Sequence, residues 1–327
     1  MKQNSAHGLL LLLLSLAVAG SLSHGAYPIS MRQLYAWVTS SPPGLDAISH
    51  NVLFNIRLPR VLLGILAGAA LGVAGASMQA LFRNPLAEPG LIGLSAGASL
   101  GAVAAIVLTP GGFFIIACAA FAGSLMSTYA AYLLGRISQS ISGLILAGVA
   151  LNAMLFSLVG LIILSADDAQ LRDLTFWSMG SLAAANWPMI FLLGPLMLAG
   201  LIYLVSRWRV LNALLLGERE AQHLGFSLGS TRRGLIICVA LTVGPLLAVT
   251  GGIGFVGLVM PHIVRMWRGA DHRWVMPASA LSGALGLTLA DWLARCIIAP
   301  AEIPIGLITS LIGGPFFIWL LLKGRTG

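Results

Sequence analysis

The sequence predicts an all-α polytopic membrane protein with about ten transmembrane helices. Hydrophobic residues make up 58% of the 327 and charged residues only 9%, and apolar runs recur between turn-forming residues along nearly the whole chain. A soluble core of this length would carry far more charge. No charge run or low-complexity tail marks off a second unit, so residues 1–327 read as a single transmembrane domain.

Hydropathy and turn punctuation place the spans at 8–26, 61–80, 91–108, 113–134, 143–164, 189–206, 234–250, 253–266, 275–298 and 305–322. The first of these competes with a secretory signal, because Lys2, the apolar run from Leu9 to Ala19 and the small residues Ala17 to Gly20 imitate one. A first transmembrane helix is preferred, since the chain that follows is itself membrane-embedded. The second span is the most informative. It carries no charge from 61 to 82, Pro59 can sit in its first turn, and Gly64, Gly68 and Gly72 bare one face so that another helix can approach closely. In the seventh and eighth spans, Gly244-Pro245, Gly251-Gly252 and Pro261 suggest either broken helices lining a cavity or a simple kink and turn. His262 is expected to end a helix at the inner face.

Placing both termini inside puts Lys2, Arg83, Arg136, Arg207, Arg209, Arg219, Arg232, Arg233, Arg265, Arg268, Arg273, Lys323 and Arg325 on the inner side. These are 13 of the 18 basic residues. Arg32, Arg57, Arg60, Arg172 and Arg295 remain outside, among Asp46, Asp167, Asp168, Asp173, Asp291 and Glu302. The asymmetry predicts cytoplasmic N- and C-termini and explains the +8 net charge without nucleic acid.

Several chemistries lack their residues. The two lysines, Lys2 and Lys323, belong to no phosphate-cradling G-x-x-x-x-G-K-[ST], so any ATP hydrolysis must come from a partner. Cys118, Cys238 and Cys296 are dispersed in apolar runs and read as packing residues, and His262 and His272 are ten apart without H-E-x-x-H, so no metal site is expected. An intramembrane enzyme would need a converging nucleophile and base, which the sequence does not suggest. A proton-coupled secondary transporter should bury carboxylates in mid-span, yet Asp291 is the only acid inside the predicted spans and Arg295 lies four residues on.

That pair shares a helix face. It reads either as a local ion pair or, with Arg57 and Arg60, as part of an outer docking surface, snorkelling to headgroups being the alternative for the latter two. The inner loop 207–233 carries LLLGEREAQHLGFSLGSTRRG, in which Glu218 to Leu224 can form a two-turn helix between Gly217 and Gly225. Small Ala221 suits insertion into a partner's cleft. The alternative is a helix resting on anionic membrane lipid, which Glu218 and Glu220 oppose.

The chain resembles the permease subunits of ATP-binding-cassette importers for cobalamin, haem and ferric siderophores, the BtuC and FecCD type. The resemblance rests on RLPR at 57–60, MQALFRNPLAEPGLIG at 78–93, LAGVAL at 146–151, LGEREAQHLG at 216–225, GFVGLVMPHIVR at 254–265 and EIPIG at 302–306. It implies a bacterial inner-membrane homodimer of ten-helix subunits, two cytoplasmic ATPase subunits that use the ATP, a periplasmic substrate-binding protein, and no stably bound cofactor. It also implies binding-protein docking at Arg57 and Arg295, and ATPase coupling through Gly217, Glu218, Glu220, Ala221, Leu224 and Gly225. The implied translocation path follows the fifth helix at Ile141, Ser142, Leu146, Asn152 and Phe156. If Asn152 faces a neighbouring helix instead, it reads as interhelical glue, the more common role for such a residue. Ile141-Ser142 departs from the Thr-Ser pair of the cobalamin members. LRDLTFWSMGSL at 171–182 looks most like haem permeases, so haem is the expected cargo, with cobalamin or a ferric siderophore as alternatives.

Overall fold

The computed structural model describes residues 2–39, 46–138 and 140–323. Arg325, counted above among the inner cations, lies outside them. Among the described residues the chain is helical throughout: α1 (Lys2–Ser23), α2 (Met31–Thr39), α3 (Ala47–Asn51), α4 (Leu58–Leu81), α5 (Leu94–Leu108), α6 (Phe113–Ser138), α7 (Ile141–Ile163) and α8 (Asp168–Met179) make up the first half. The second comprises α9 (Trp187–Ser206), α10 (Trp208–Leu216), α11 (Glu218–His223), α12 (Leu228–Thr250), α13 (Val256–Arg268), α14 (His272–Cys296) and α15 (Ile305–Lys323). A π-helical segment, Val52–Arg57, joins α3 to α4, and a 3₁₀ turn, Pro89–Ile92, precedes α5.

Each predicted span has a helical counterpart, in α1, α4, α5, α6, α7, α9, α12, α13, α14 and α15. Six segments meet the length and hydropathy of a membrane crossing: Ala6–Ser23, Ala47–Leu81, Phe113–Ile137, Ile141–Ile163, Trp187–Ser206 and Leu228–Thr250. Leu94–Leu108 and Ile305–Leu320 are shorter apolar helices. The alternating helices gather Arg83, Arg136, Arg219, Arg265 and Arg268 at one end of the bundle, here the basic end. Arg57, Arg60 and Arg295 lie at the other, the Arg60 end.

The bare face of α4 does what its spacing predicts. A Cβ at Gly68 would stand 2.1 Å from the Gly283 carbonyl oxygen, and one at Gly72 would stand 2.2 Å from that of Ser279, so α4 and α14 touch backbone to backbone. Gly75 meets the Gly257 carbonyl in the same way, bringing α13 against α4. These helices therefore form the centre of the bundle, with Met78, Val73, Val275 and Met276 fully buried around them.

Two expectations are corrected, and four helices appear that the sequence did not announce. Gly244-Pro245 does not interrupt the seventh span, because α12 runs unbroken to Thr250 with Pro245 inside it. The break falls at residues 251–255, where Gly251 has φ +69° and Phe255, a non-glycine, has φ +66°. Part of its polar backbone is met by protein: Gly251 N–H donates to Leu247 O at 2.9 Å, and the carbonyls of Gly251 and Phe255 accept from the Thr250 hydroxyl at 3.2 Å and from Val259 N–H at 2.8 Å. Nor does Pro261-His262 end a helix, since α13 continues to Arg268. Helices α2, α3, α8 and α10 were not anticipated, being too short or too polar to register as spans. α8 nonetheless has a strong local signal, a capping box in which Asp167 accepts from Gln170 N–H and the Gln170 side chain accepts from Asp167 N–H.

Candidate functional site

At the Arg60 end, a buried ion network joins three helices. Asp291 accepts from Arg60 Nε at 3.0 Å through one oxygen, with Arg60 Nη2 in ion-pair contact at 2.9 Å, and from Arg295 Nε at 3.1 Å through the other. Arg60 Nη1 also reaches Glu302, at 2.9 Å. The last carbonyls of α1 have no partner within that helix, and arginines from other elements meet them. Arg295 donates to Ser21 O at 3.2 Å and Arg57 to Leu22 O at 2.6 Å, with a further Arg57 bond to Tyr27 O. Asp291–Arg295 is thus the local ion pair that its i, i+4 spacing allows. Arg57 is only 4% exposed and Arg295 7%, so neither offers the open docking surface expected of it. Unmade backbone bonds at the end of α1 draw both side chains inward. The links from Arg60 to Asp291 and Glu302, across more than 230 positions, had no signal in the sequence.

At the basic end, α10 and α11 follow α9. Gly217 (φ +136°) and Gly225 (φ +87°) bracket α11, as their positions suggested. Ala221 is completely buried, so its side chain packs within this chain, and its carbonyl accepts from Phe226 N–H to close the end of α11. The exposed residues are Arg219, Glu220, Gln222, His223 and Leu224. Glu218 forms an ion pair with Arg232 of α12, tying α11 to a long helix.

The α7 helix is the least buried of the six spans, with 6% of its apolar window covered. Ser142, Leu146 and Phe156 are exposed, while Ile141 and Asn152 are half-buried. Asn152 Nδ2 donates to Gly90 O at 3.1 Å, holding the 3₁₀ turn, which is the interhelical glue reading. A cavity of about 380 Å³ lies beside that turn, lined among others by Glu88, Ser95, Trp177, Phe255 and Ser310. None of the five predicted path residues lines it. The broken segment 251–255 and the C-terminal end of α8 do, and the sequence hinted only at the first. Burial raises the Glu88 carboxyl above its ordinary range.

Just ahead of α14, partial burial pushes the Asp271 carboxyl up. The Asn212 amide, the Arg273 N–H and the adjoining cations outweigh it and hold Asp271 below 3.8. Among the described residues, no three His, Cys, Asp or Glu side chains come together as metal ligands. His262 packs on Phe316 and Phe317, and His272 is held by Asn212.

Residues 11–323 match the FecCD transport family. The chain is 45% identical over 325 residues to the hemin transport system permease protein HmuU of Yersinia pestis, covering 97% of this chain and 95% of that one. It is 44% identical over 282 residues to the vitamin B12 import system permease protein BtuC of Salmonella newport, covering 85% and 86%. A solved structure described as an inward-facing conformation of a metal-chelate type ABC transporter superposes with a TM-score of 0.87 at 33% identity, over 98% of this chain and 99% of that one. The helical bundle, the family match and the relatives agree, and the chain belongs to the FecCD transport family, as a membrane permease of an ABC importer.

Proposed function

We propose that this permease carries haem across the bacterial inner membrane from periplasm to cytoplasm, driven by ATP hydrolysed on a partner. The observation that carries the cargo assignment is the 45% identity to a hemin permease along almost the full length of both chains. Cobalamin is the second reading, favoured by 44% identity over 282 residues to a vitamin B12 permease. A ferric siderophore is the third.

In this reading two copies pair, and the exposed apolar face of α7 supports that arrangement, because an apolar helix so little covered by its own chain suits either lipid or a second copy. Ile141, Ser142, Leu146, Asn152 and Phe156 would then border the path between them. A weakly adhesive apolar lining passes a large amphiphilic chelate better than a tight site does. Two cytoplasmic ATPase subunits engage α11, between Gly217 and Gly225, and a periplasmic binding protein docks on the Arg60 end. There Arg57 and Arg295 act by shaping the loops around the end of α1. Both termini are cytoplasmic, consistent with the excess of cations at the basic end. The permease itself is not an enzyme and holds no stable cofactor.

The test is uptake into proteoliposomes containing the permease with its ATPase, given haem, cobalamin or a ferric siderophore on matched binding proteins. ATP-dependent accumulation of haem alone is the expected result. Accumulation of another chelate would replace the cargo. Uptake that persists when the ATPase lacks its phosphate-binding lysine would overturn the ATP-driven mechanism in favour of secondary transport.

A further inference from the structure

The cavity of about 380 Å³ beside the 3₁₀ turn is built around one ionisable group. Its walls come from α4, α5, α8, α12, α13, α15 and the broken segment 251–255, and among the described residues Glu88 is the only titratable side chain in them. No cation lines the cavity with it, and burial by itself raises its carboxyl. An ionised Glu88 would stand unpaired among uncharged neighbours, so the site favours the neutral acid, which donates a hydrogen bond.

The space beside that carboxyl is open. Gly90 has no side chain, and a Cβ there would stand 3.4 Å from Glu88 Oε1 and 3.2 Å from Ser95 Oγ, so carboxyl and hydroxyl flank one bare position. Trp177 and Phe255 add aromatic wall, and Phe255 is held at φ +66°, a strained conformation for a non-glycine of the kind that clusters at functional sites. Ser95, Ser178, Gly254 and Ser310 are exposed, so the cavity opens at the surface of the subunit. It also adjoins α7: Asn152 donates to the Gly90 carbonyl at 3.1 Å, and Gly148 lies against that of Leu91.

A donor carboxyl and a hydroxyl near aromatic rings suit a flat molecule that carries acceptor oxygens at its edge. A metal cation is a poor match, because no second carboxylate or imidazole joins Glu88 among the described residues. Haem has such an edge in its two propionate carboxylates, and a hydrogen bond to an ionised acceptor is the stronger kind. The volume is near the low end for ligand pockets and suits that edge rather than the whole macrocycle. We propose that Glu88 is a specificity-determining residue of transport, which receives a cargo carboxylate at the bare Gly90 position through a hydrogen bond donated by its own carboxyl. The inference rests on haem being the cargo. Ser95 supports the contact, and the pair selects a chelate with an ionised edge over one whose edge is esterified.

The test titrates the permease–ATPase complex in nanodiscs with haem and, in parallel, with haem dimethyl ester, subtracting uptake by empty nanodiscs. The same complex in proteoliposomes, with its binding protein, is assayed for ATP-dependent haem uptake. Haem should bind about tenfold more tightly than the ester. That preference should fall as pH is raised from about 5 to about 9, because an ionised Glu88 no longer donates and repels the carboxylate. Glu88→Ala should remove most of the preference, and so should Gly90→Ala, which fills the bare position without touching an ionisable group. Glu88→Gln keeps a donor, so it should restore part of the preference and make it independent of pH, an effect that loss of packing would not produce. Tryptophan-fluorescence melting checks that each variant is folded. Equal binding of haem and ester by the parent, a preference that survives both alanine variants, or an alkaline loss that persists in Glu88→Gln would overturn the site while haem uptake by the parent continues. A parent that accumulates another chelate and no haem would overturn the cargo reading and this inference with it.

Discussion

Replacing Asp291 with Asn changes little in shape but removes the one buried negative charge that holds α4 to α14 through their arginines. Asp291 is 2% exposed, and Arg60 and Arg295 are each 7% exposed. Its two hydrogen bonds, at 3.0 and 3.1 Å, and a further ion-pair contact at 2.9 Å come from two charged groups. With Glu302 the four side chains balance two positive charges against two negative. The substitution leaves a net positive charge in a site that water barely reaches, and turns an amide N–H toward one of the guanidinium groups. Breaking a buried pair from one side costs about 3–5 kcal/mol, because the stranded charge keeps its desolvation penalty. Glu302→Gln provides the contrast: that side chain is 42% exposed, so solvent screening leaves less than about 1 kcal/mol. Reversible unfolding in mixed micelles by titration with a denaturing detergent, followed by tryptophan fluorescence, measures both. A cycle with Arg295→Gln adds a coupling term, expected at about 1–3 kcal/mol, since the double variant removes one charge of each sign. Asp291→Asn within about 1 kcal/mol of the parent, or a cost equal to that of Glu302→Gln, would refute the view that burial makes this network strong.

Gly68→Ala or Gly283→Ala should each lower stability by about 1–3 kcal/mol in the same assay, because the new methyl meets backbone that cannot yield as a side chain can. Arg57→Gln should loosen the segment after α1, seen as faster proteolysis or hydrogen exchange around residues 22–30, since the Leu22 and Tyr27 carbonyls lose their charged donor. Leu224→Asp should reduce co-purification of the ATPase without lowering the permease's melting temperature, because Leu224 is exposed on α11. Ala221→Trp should instead lower the melting temperature itself, the site being fully buried. Asp271 has a depressed folded value, so its contribution is present above the unfolded value near 3.8 and is lost as pH falls through the folded one. Asp271→Asn should therefore flatten the loss of stability in acid below about pH 4, read as melting temperature against pH.

The spans were legible because their signals are local. An uncharged stretch such as 61–82, bounded by Arg60 and Arg83, declares a crossing without reference to anything else in the chain. The Gly64, Gly68, Gly72 spacing declared a contact face, and Gly217 and Gly225 bracketed α11 because each takes a backbone conformation that favours glycine. Glycine and proline nevertheless misled at Gly244-Pro245 and at Pro261, where a helix already packed on several sides keeps its course despite a missing N–H. The sequence by itself determined the helical bundle, its spans and the gathering of cations at one end, because hydropathy, charge and backbone preference belong to each residue and its near neighbours. Tertiary structure alone decided where those side chains turn. It drew Arg57 and Arg295 inward onto the open carbonyls of α1, buried Ala221 of α11 against the bundle, and joined Arg60 to Asp291 and Glu302. Such pairings depend on which helices lie side by side, and neighbours in space leave no trace in the local pattern.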